Sequence, residues 1–70
     1  MYLSLGQAIN YLNPQTVTKF MVTAKQPLPE IDLARGKFKT FDRYELTGDV
    51  LNHEVLLIDC VNDMINFKVE

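Results

Sequence analysis

Asn13-Pro14-Gln15-Thr16-Val17-Thr18-Lys19-Phe20-Met21-Val22-Thr23-Ala24 is the stretch on which the fold turns. Asparagine is a strong helix N-cap, and proline is favoured at the first helical position, where its missing N–H costs nothing. Behind this start, Val17, Phe20, Met21 and Ala24 recur at i, i+3, i+4 and i+7, one apolar stripe of a helix. Gln15, Thr16, Thr18, Lys19, Val22 and Thr23 fall on the opposite face. The spacing predicts a helix over 14–24 whose small polar face carries one cation.

Upstream, Ser4 and Gln7 make a capping-box pair, and Leu5, Ala8, Ile9 and Leu12 form a second stripe. They predict a helix over 5–12. Gly6 weakens it by up to ~1 kcal/mol relative to alanine, so packing must hold it. Two short amphipathic helices with almost no linker read as a helix-turn-helix. The plainer alternative is a helical hairpin packed on a sheet.

Downstream, Pro27-Leu28-Pro29 ends the second helix, because each proline removes a donor and restricts its predecessor. Ile31 and Leu33 then alternate with Glu30, Asp32 and Ala34. Arg35-Gly36 signals a turn, and Lys37-Phe38-Lys39-Thr40-Phe41 returns as a strand. This predicts a hairpin over 30–41 with Arg35, Lys37 and Lys39 at or beside its tip. The same cations would also deter edge-to-edge pairing of exposed strands. Asp42 and Glu45 form another cap-like pair. They predict a short third helix with Leu46 and Val50 facing inward, interrupted by Gly48.

The tail, 55–70, fits a second hairpin with Asn62-Asp63 as its loop. Val61 then pairs with Met64, Cys60 with Ile65, Asp59 with Asn66, Ile58 with Phe67, Leu57 with Lys68 and Leu56 with Val69. Cys60, Ile65, Ile58, Phe67, Leu56 and Val69 share one face, which predicts a buried Cys60. Leu57 and Val55 lie on the otherwise polar face, as a partner surface or as scattered apolar groups. The competitor is a dimerisation helix through 49–68; β-branched content and the lack of alanine favour strands.

Seventy residues, 47% hydrophobic and 23% charged, leave room for a single domain over 1–70 with a small core and no deep cleft. No apolar run approaches the ~20 residues of a membrane span, and the start lacks the pattern of a signal peptide. One cysteine and one histidine supply neither a disulfide nor a zinc site. No Gly-rich phosphate loop, HExxH or paired-cysteine motif points to catalysis, and His53 reads as a cap or surface residue. The expectation is a cytoplasmic, metal-free and cofactor-free protein that is not an enzyme. The net charge of −2 is unevenly spread: residues 1–18 carry no charge, 19–43 carry +3 and 44–70 carry −5. Attraction to phosphate follows such a local field rather than the total.

Helix, tight turn, helix, basic hairpin, capped helix is the plan of a small winged helix-turn-helix. Leu3-Ser4-Leu5-Gly6-Gln7-Ala8-Ile9-Asn10-Tyr11-Leu12 resembles the opening helix of excisionase-like and MerR-like DNA-binding domains. Thr16-Val17-Thr18-Lys19-Phe20-Met21 is similar to their second helix. Gly36-Lys37-Phe38-Lys39-Thr40-Phe41-Asp42-Arg43-Tyr44-Glu45-Leu46 resembles their wing and its exit. The resemblance covers residues 3–47, with 54–70 as a C-terminal hairpin extension. The first turn is shortened to Asn13-Pro14-Gln15, and Lys19 stands where the family's recognition helix carries arginines.

The resemblance implies an α+β winged helix-turn-helix that binds double-stranded DNA. It would regulate transcription or assist an integrase or recombinase in a mobile element such as a bacteriophage, self-associating along its site. Gln15, Thr16, Thr18 and Lys19 would face the major groove. Arg35, Lys37 and Lys39 would reach phosphates or the minor groove, with Lys25 and Arg43 as further contacts. Helix 14–24 and the hairpin tip would stand side by side as one clamp. The alternative is a protein-interaction module, an inhibitor, adaptor or acidic DNA mimic, with no small-molecule substrate.

Overall fold

Ser4 caps α1 (Leu5–Asn10) in the computed structural model, which describes residues 2–70. Its Oγ accepts from the Gln7 N–H at 3.1 Å, and Gln7 Oε1 accepts from the Ser4 N–H at 2.9 Å. The capping box orders both orphan donors at once. Leu5, Ala8 and Ile9 are buried, as the stripe requires, and Leu12 packs against the core from just beyond the helix.

The expected helix over 14–24 is absent. Asn13 does cap one turn: its Oδ1 accepts from the Gln15 N–H at 2.9 Å, and its carbonyl accepts from the Val17 N–H at 2.8 Å. The turn then ends, and Lys19–Ala24 is a strand, β1. Alternation explains why. As a strand, β1 buries Phe20, Val22 and Ala24 completely or nearly so on one face. The helical reading left Val22 on the solvent side. Four β-branched residues, Thr16, Val17, Thr18 and Thr23, add to the preference for extended backbone.

The predicted hairpin over 30–41 is also replaced. Pro29–Ile31 is a single 3-10 turn, followed by Asp32 in the left-handed region at φ 52°. Leu28 and Leu33 bond each other's backbone at 2.8 and 3.1 Å, and both side chains are buried. This closes a compact loop rather than a wing. Gly36, at φ +75°, turns the chain into β2 (Phe38–Asp42), whose partner is β1. Where a third helix was expected, Asp42 and Glu45 close a turn, with Glu45 Oε1 accepting from the Asp42 N–H at 2.6 Å. A second 3-10 turn, Gly48–Asn52, follows, and Leu46 and Val50 are buried as expected. The winged helix-turn-helix is therefore corrected to a mixed domain dominated by a four-stranded sheet, with one short helix among the described residues.

The tail is a hairpin of β3 (Val55–Val61) and β4 (Met64–Val69). Its register runs from Val61↔Met64 to Leu57↔Lys68 as the alternation required; a bulge between Val55 and Leu57 then pairs Val69 with Val55 rather than Leu56. Asn62 and Asp63, at φ 51° and 64°, form the two-residue turn. The sheet order is β2-β1-β4-β3, with β1 and β4 parallel at the centre. On one face Phe20, Val22, Ala24, Phe67 and Val69 meet Leu5, Ile9, Leu28, Leu33, Leu46 and Val50. Among the described residues no helix or turn is layered over the other face.

His53 ties the two 3-10 turns together, its Nε2 lying 2.9 Å from Glu30 Oε2. That hydrogen bond, helped by one from the Glu30 backbone, holds the Glu30 carboxyl below its ordinary pKa; burial opposes this slightly. A carboxyl lowered on folding contributes stability that is present above its unfolded pKa and is lost as pH falls through the lowered value. Urea denaturation at a series of acidic pH values should therefore show a stability loss that Glu30→Gln diminishes. If both proteins trace the same acid limb, the pair contributes nothing to folding.

Candidate functional site

The residues expected to grip DNA are dispersed and mostly engaged. Gln15, Thr16 and Thr18 are exposed in the irregular lead-in to β1. Lys19 approaches Asp42 at 4.0 Å and Lys25 approaches Glu70 at 3.9 Å. Lys39 reaches Asp32 at 3.9 Å and the Ile31 carbonyl at 3.2 Å. Arg43 is turned inward: its guanidinium donates to the carbonyls of Ile9 at 2.9 Å, Leu12 at 2.7 Å and Val17 at 3.5 Å. Arg35 and Lys37 are exposed, with no carboxylate within ion-pair distance among the described residues. Their loop adjoins the far end of β1, where the Gly36 N–H bonds the Ala24 carbonyl at 2.8 Å. Five strand steps of ~3.4 Å place that loop ~17 Å from Lys19. The two groups do not form one clamp.

Grooves offer little chemistry. One of about 340 Å³ is lined by Pro14, Thr18, Asp42, Arg43, Tyr44 and Glu45. Asp42 and Arg43 already bond within the chain, and Glu45 holds the Asp42 N–H. Among the described residues no three His, Cys, Asp or Glu side chains gather as metal ligands, and no helix is long and apolar enough to cross a membrane.

The feature that stands apart is the free edge of β3. Leu56, Leu57 and Ile58 are consecutive and expose 40, 53 and 53% of their surface. Ile58 and Cys60 belong to the apolar face of the hairpin, yet α1 and the 3-10 turns do not reach over them. Cys60, expected to be buried, is exposed. A two-residue turn closes on a hydrogen-bonded pair, so Val61, Asp59 and Leu57 bond to β4, while Ile58 and Cys60 direct their backbone groups outward.

The chain closes part of this edge itself. The Val55 N–H donates to the Leu3 carbonyl at 2.8 Å, and the Leu5 N–H donates to the His53 carbonyl at 2.9 Å. The bulge at Leu56 then flips the strand's parity and hands the edge to Ile58 and Cys60. The Cys60 N–H is held at 2.7 Å by Oδ1 of Asp59. Ile58 is left with its N–H and carbonyl open between exposed leucines and an acid.

The opposite edge differs. On β2, Phe38 and Thr40 direct their backbone groups outward, but Lys37 and Lys39 flank them and the Asp42 N–H is taken by Glu45. Cations along a strand edge disfavour pairing. β3 has no cation of its own. Composition could have pointed to it: Val55-Leu56-Leu57-Ile58 is a run of four consecutive apolar residues, which breaks the alternation of a strand with one buried face.

Comparison with known proteins adds no identification: no family model matches the chain, and neither a curated protein nor a solved structure does.

Proposed function

We propose that this chain is a protein-interaction module that captures an extended segment of another protein on the open edge of β3. The observation that carries the reading is the exposed Leu56-Leu57-Ile58 run on an edge strand whose outward N–H and carbonyl at Ile58 have no partner among the described residues. Long apolar edges invite strand addition, in which main-chain hydrogen bonds give affinity and alternate side chains give specificity. Duplex DNA binding, implied by the resemblance, draws on fewer groups. Of its six cations, Lys19, Lys25 and Lys39 approach carboxylates and Arg43 is bonded to backbone carbonyls, which leaves Arg35 and Lys37 unengaged among the described residues.

Selection of random peptides displayed on phage tests the reading. Selected peptides should bind the wild-type protein in extended form and lose at least roughly tenfold in affinity against Ile58→Pro. Proline removes the outward N–H without touching a bond inside the sheet, which is where an edge strand tolerates it. Peptides that bind both proteins equally would place the docking surface elsewhere.

A further inference from the structure

Resting on this edge-capture reading, we infer that Asp59 selects the partner: it blocks pairing of β3 with a second copy of this chain and favours an extended segment presenting Lys or Arg. The register decides. A symmetric antiparallel pairing that uses both open positions sets Ile58 of each copy against Cys60 of the other, and Asp59 then lies directly opposite Asp59. Like charges facing one another across a strand pair are unfavourable.

Asp59 is exposed and has no cation within ion-pair distance among the described residues. In the sheet it stands beside Asn66, while Lys68 is one row away, beside Leu57. Its charge is thus left to the next strand outward. A heterologous strand with a basic residue opposite Asp59 would gain a cross-strand ion pair. Apolar neighbours on either side of that cation would fall on the Ile58 and Cys60 face, since alternate residues face opposite ways. The recognised chemistry is an extended apolar–basic–apolar segment.

Two measurements test this on the full chain. Sedimentation of the wild type and Asp59→Val across a concentration series should show the variant dimerising at concentrations roughly tenfold lower. Equal association would overturn the blocking role. Separately, two synthetic peptides of alternating valine and threonine, identical except for a central lysine or glutamate, should be titrated against the wild type and Asp59→Lys. The wild type should prefer the lysine peptide by roughly tenfold, and the variant should reverse the order. An unchanged preference in Asp59→Lys would overturn the selection by charge while leaving strand capture intact. If neither peptide binds the wild type but Asp59→Val still dimerises, charge gating stands and capture of a foreign strand fails. If neither event occurs, both fail. Circular dichroism of each variant should match the wild type, since the side chain is exposed.

Discussion

Phe67→Ala should cost about 3–5 kcal/mol, a third or more of the stability of the whole chain. Phe67 is 1% exposed at the centre of β4 and meets Phe20, 0% exposed on the neighbouring strand, edge to face with ring centroids 5.5 Å apart. Truncation removes a large buried ring, opens a cavity in the core and discards an aromatic pair worth about 0.5–1.5 kcal/mol beyond its area. A chain of 70 residues has a total stability of about 4–10 kcal/mol. One ring is therefore a large part of the whole. Thermal unfolding should fall by more than about 15 °C where a transition survives. Phe38 is the internal control: it is 62% exposed on the uncovered face of the same sheet, and Phe38→Ala should stay within about 0.5 kcal/mol of the wild type. Urea denaturation of both variants checks the pair. Comparable losses would mean that the two faces of the sheet are wrongly assigned.

That contrast also shows where the fold was legible. Two periods compete over residues 17–24. Val17, Phe20, Met21 and Ala24 fit a helix, whereas Phe20, Val22 and Ala24 fit a strand. Nothing local arbitrates, because the deciding partners are distant: β1 lies against β2 some 20 residues on and against β4 some 45 residues on. A central parallel pair of this kind cannot be read from a turn. Local signals were followed faithfully by the structure, but only locally. Ser4 and Gln7 form their box, and Asn13 caps its single turn. Asn62-Asp63 sets the tail register, because a hairpin's pairing is fixed by its own loop. The segment Gly36–Leu46, on which the family resemblance leaned most, forms β2 and a turn in place of a wing and helix.

The candidate site was legible in part. Leu57 is an apolar residue on the polar face of the hairpin and marks the surface; Val55, expected on the same face, is turned by the bulge onto the core side and packs against the core. Alternation puts Cys60 and Ile58 on the apolar face of the hairpin, as the structure does, but alternation does not encode their exposure. Which strand becomes an edge depends on the order β2-β1-β4-β3, and that order is set by the parallel pairing. An edge strand can present both of its faces to solvent even when its sequence is patterned for burial.

Arg43 carries the opposite lesson, and its removal is the second large effect to expect. It read as a phosphate contact because it is basic and follows a basic strand. Its guanidinium instead gathers the carbonyls of Ile9, Leu12 and Val17, joining the end of α1 to the lead-in of β1. A planar fork with five donors suits three converging carbonyls, and bonds made by a charged donor are each worth about 1.5–3 kcal/mol. They are not additive, and the carbonyls near the surface would recover water. Arg43→Ala should thus destabilise by about 2–4 kcal/mol. Arg43→Lys should recover only part of this, since an ammonium lacks the fork. Amide exchange should quicken most over residues 9–18, while the β3–β4 hairpin keeps its protection relative to the global unfolding limit. Lys37→Ala removes a comparable charge from an exposed, unpaired position and should cost less than about 0.5 kcal/mol. If Arg43→Ala is as mild as Lys37→Ala, water replaces the guanidinium at those carbonyls and the helix end needs no clasp. If it is severe, a residue that reads as a phosphate contact serves instead to hold the fold together.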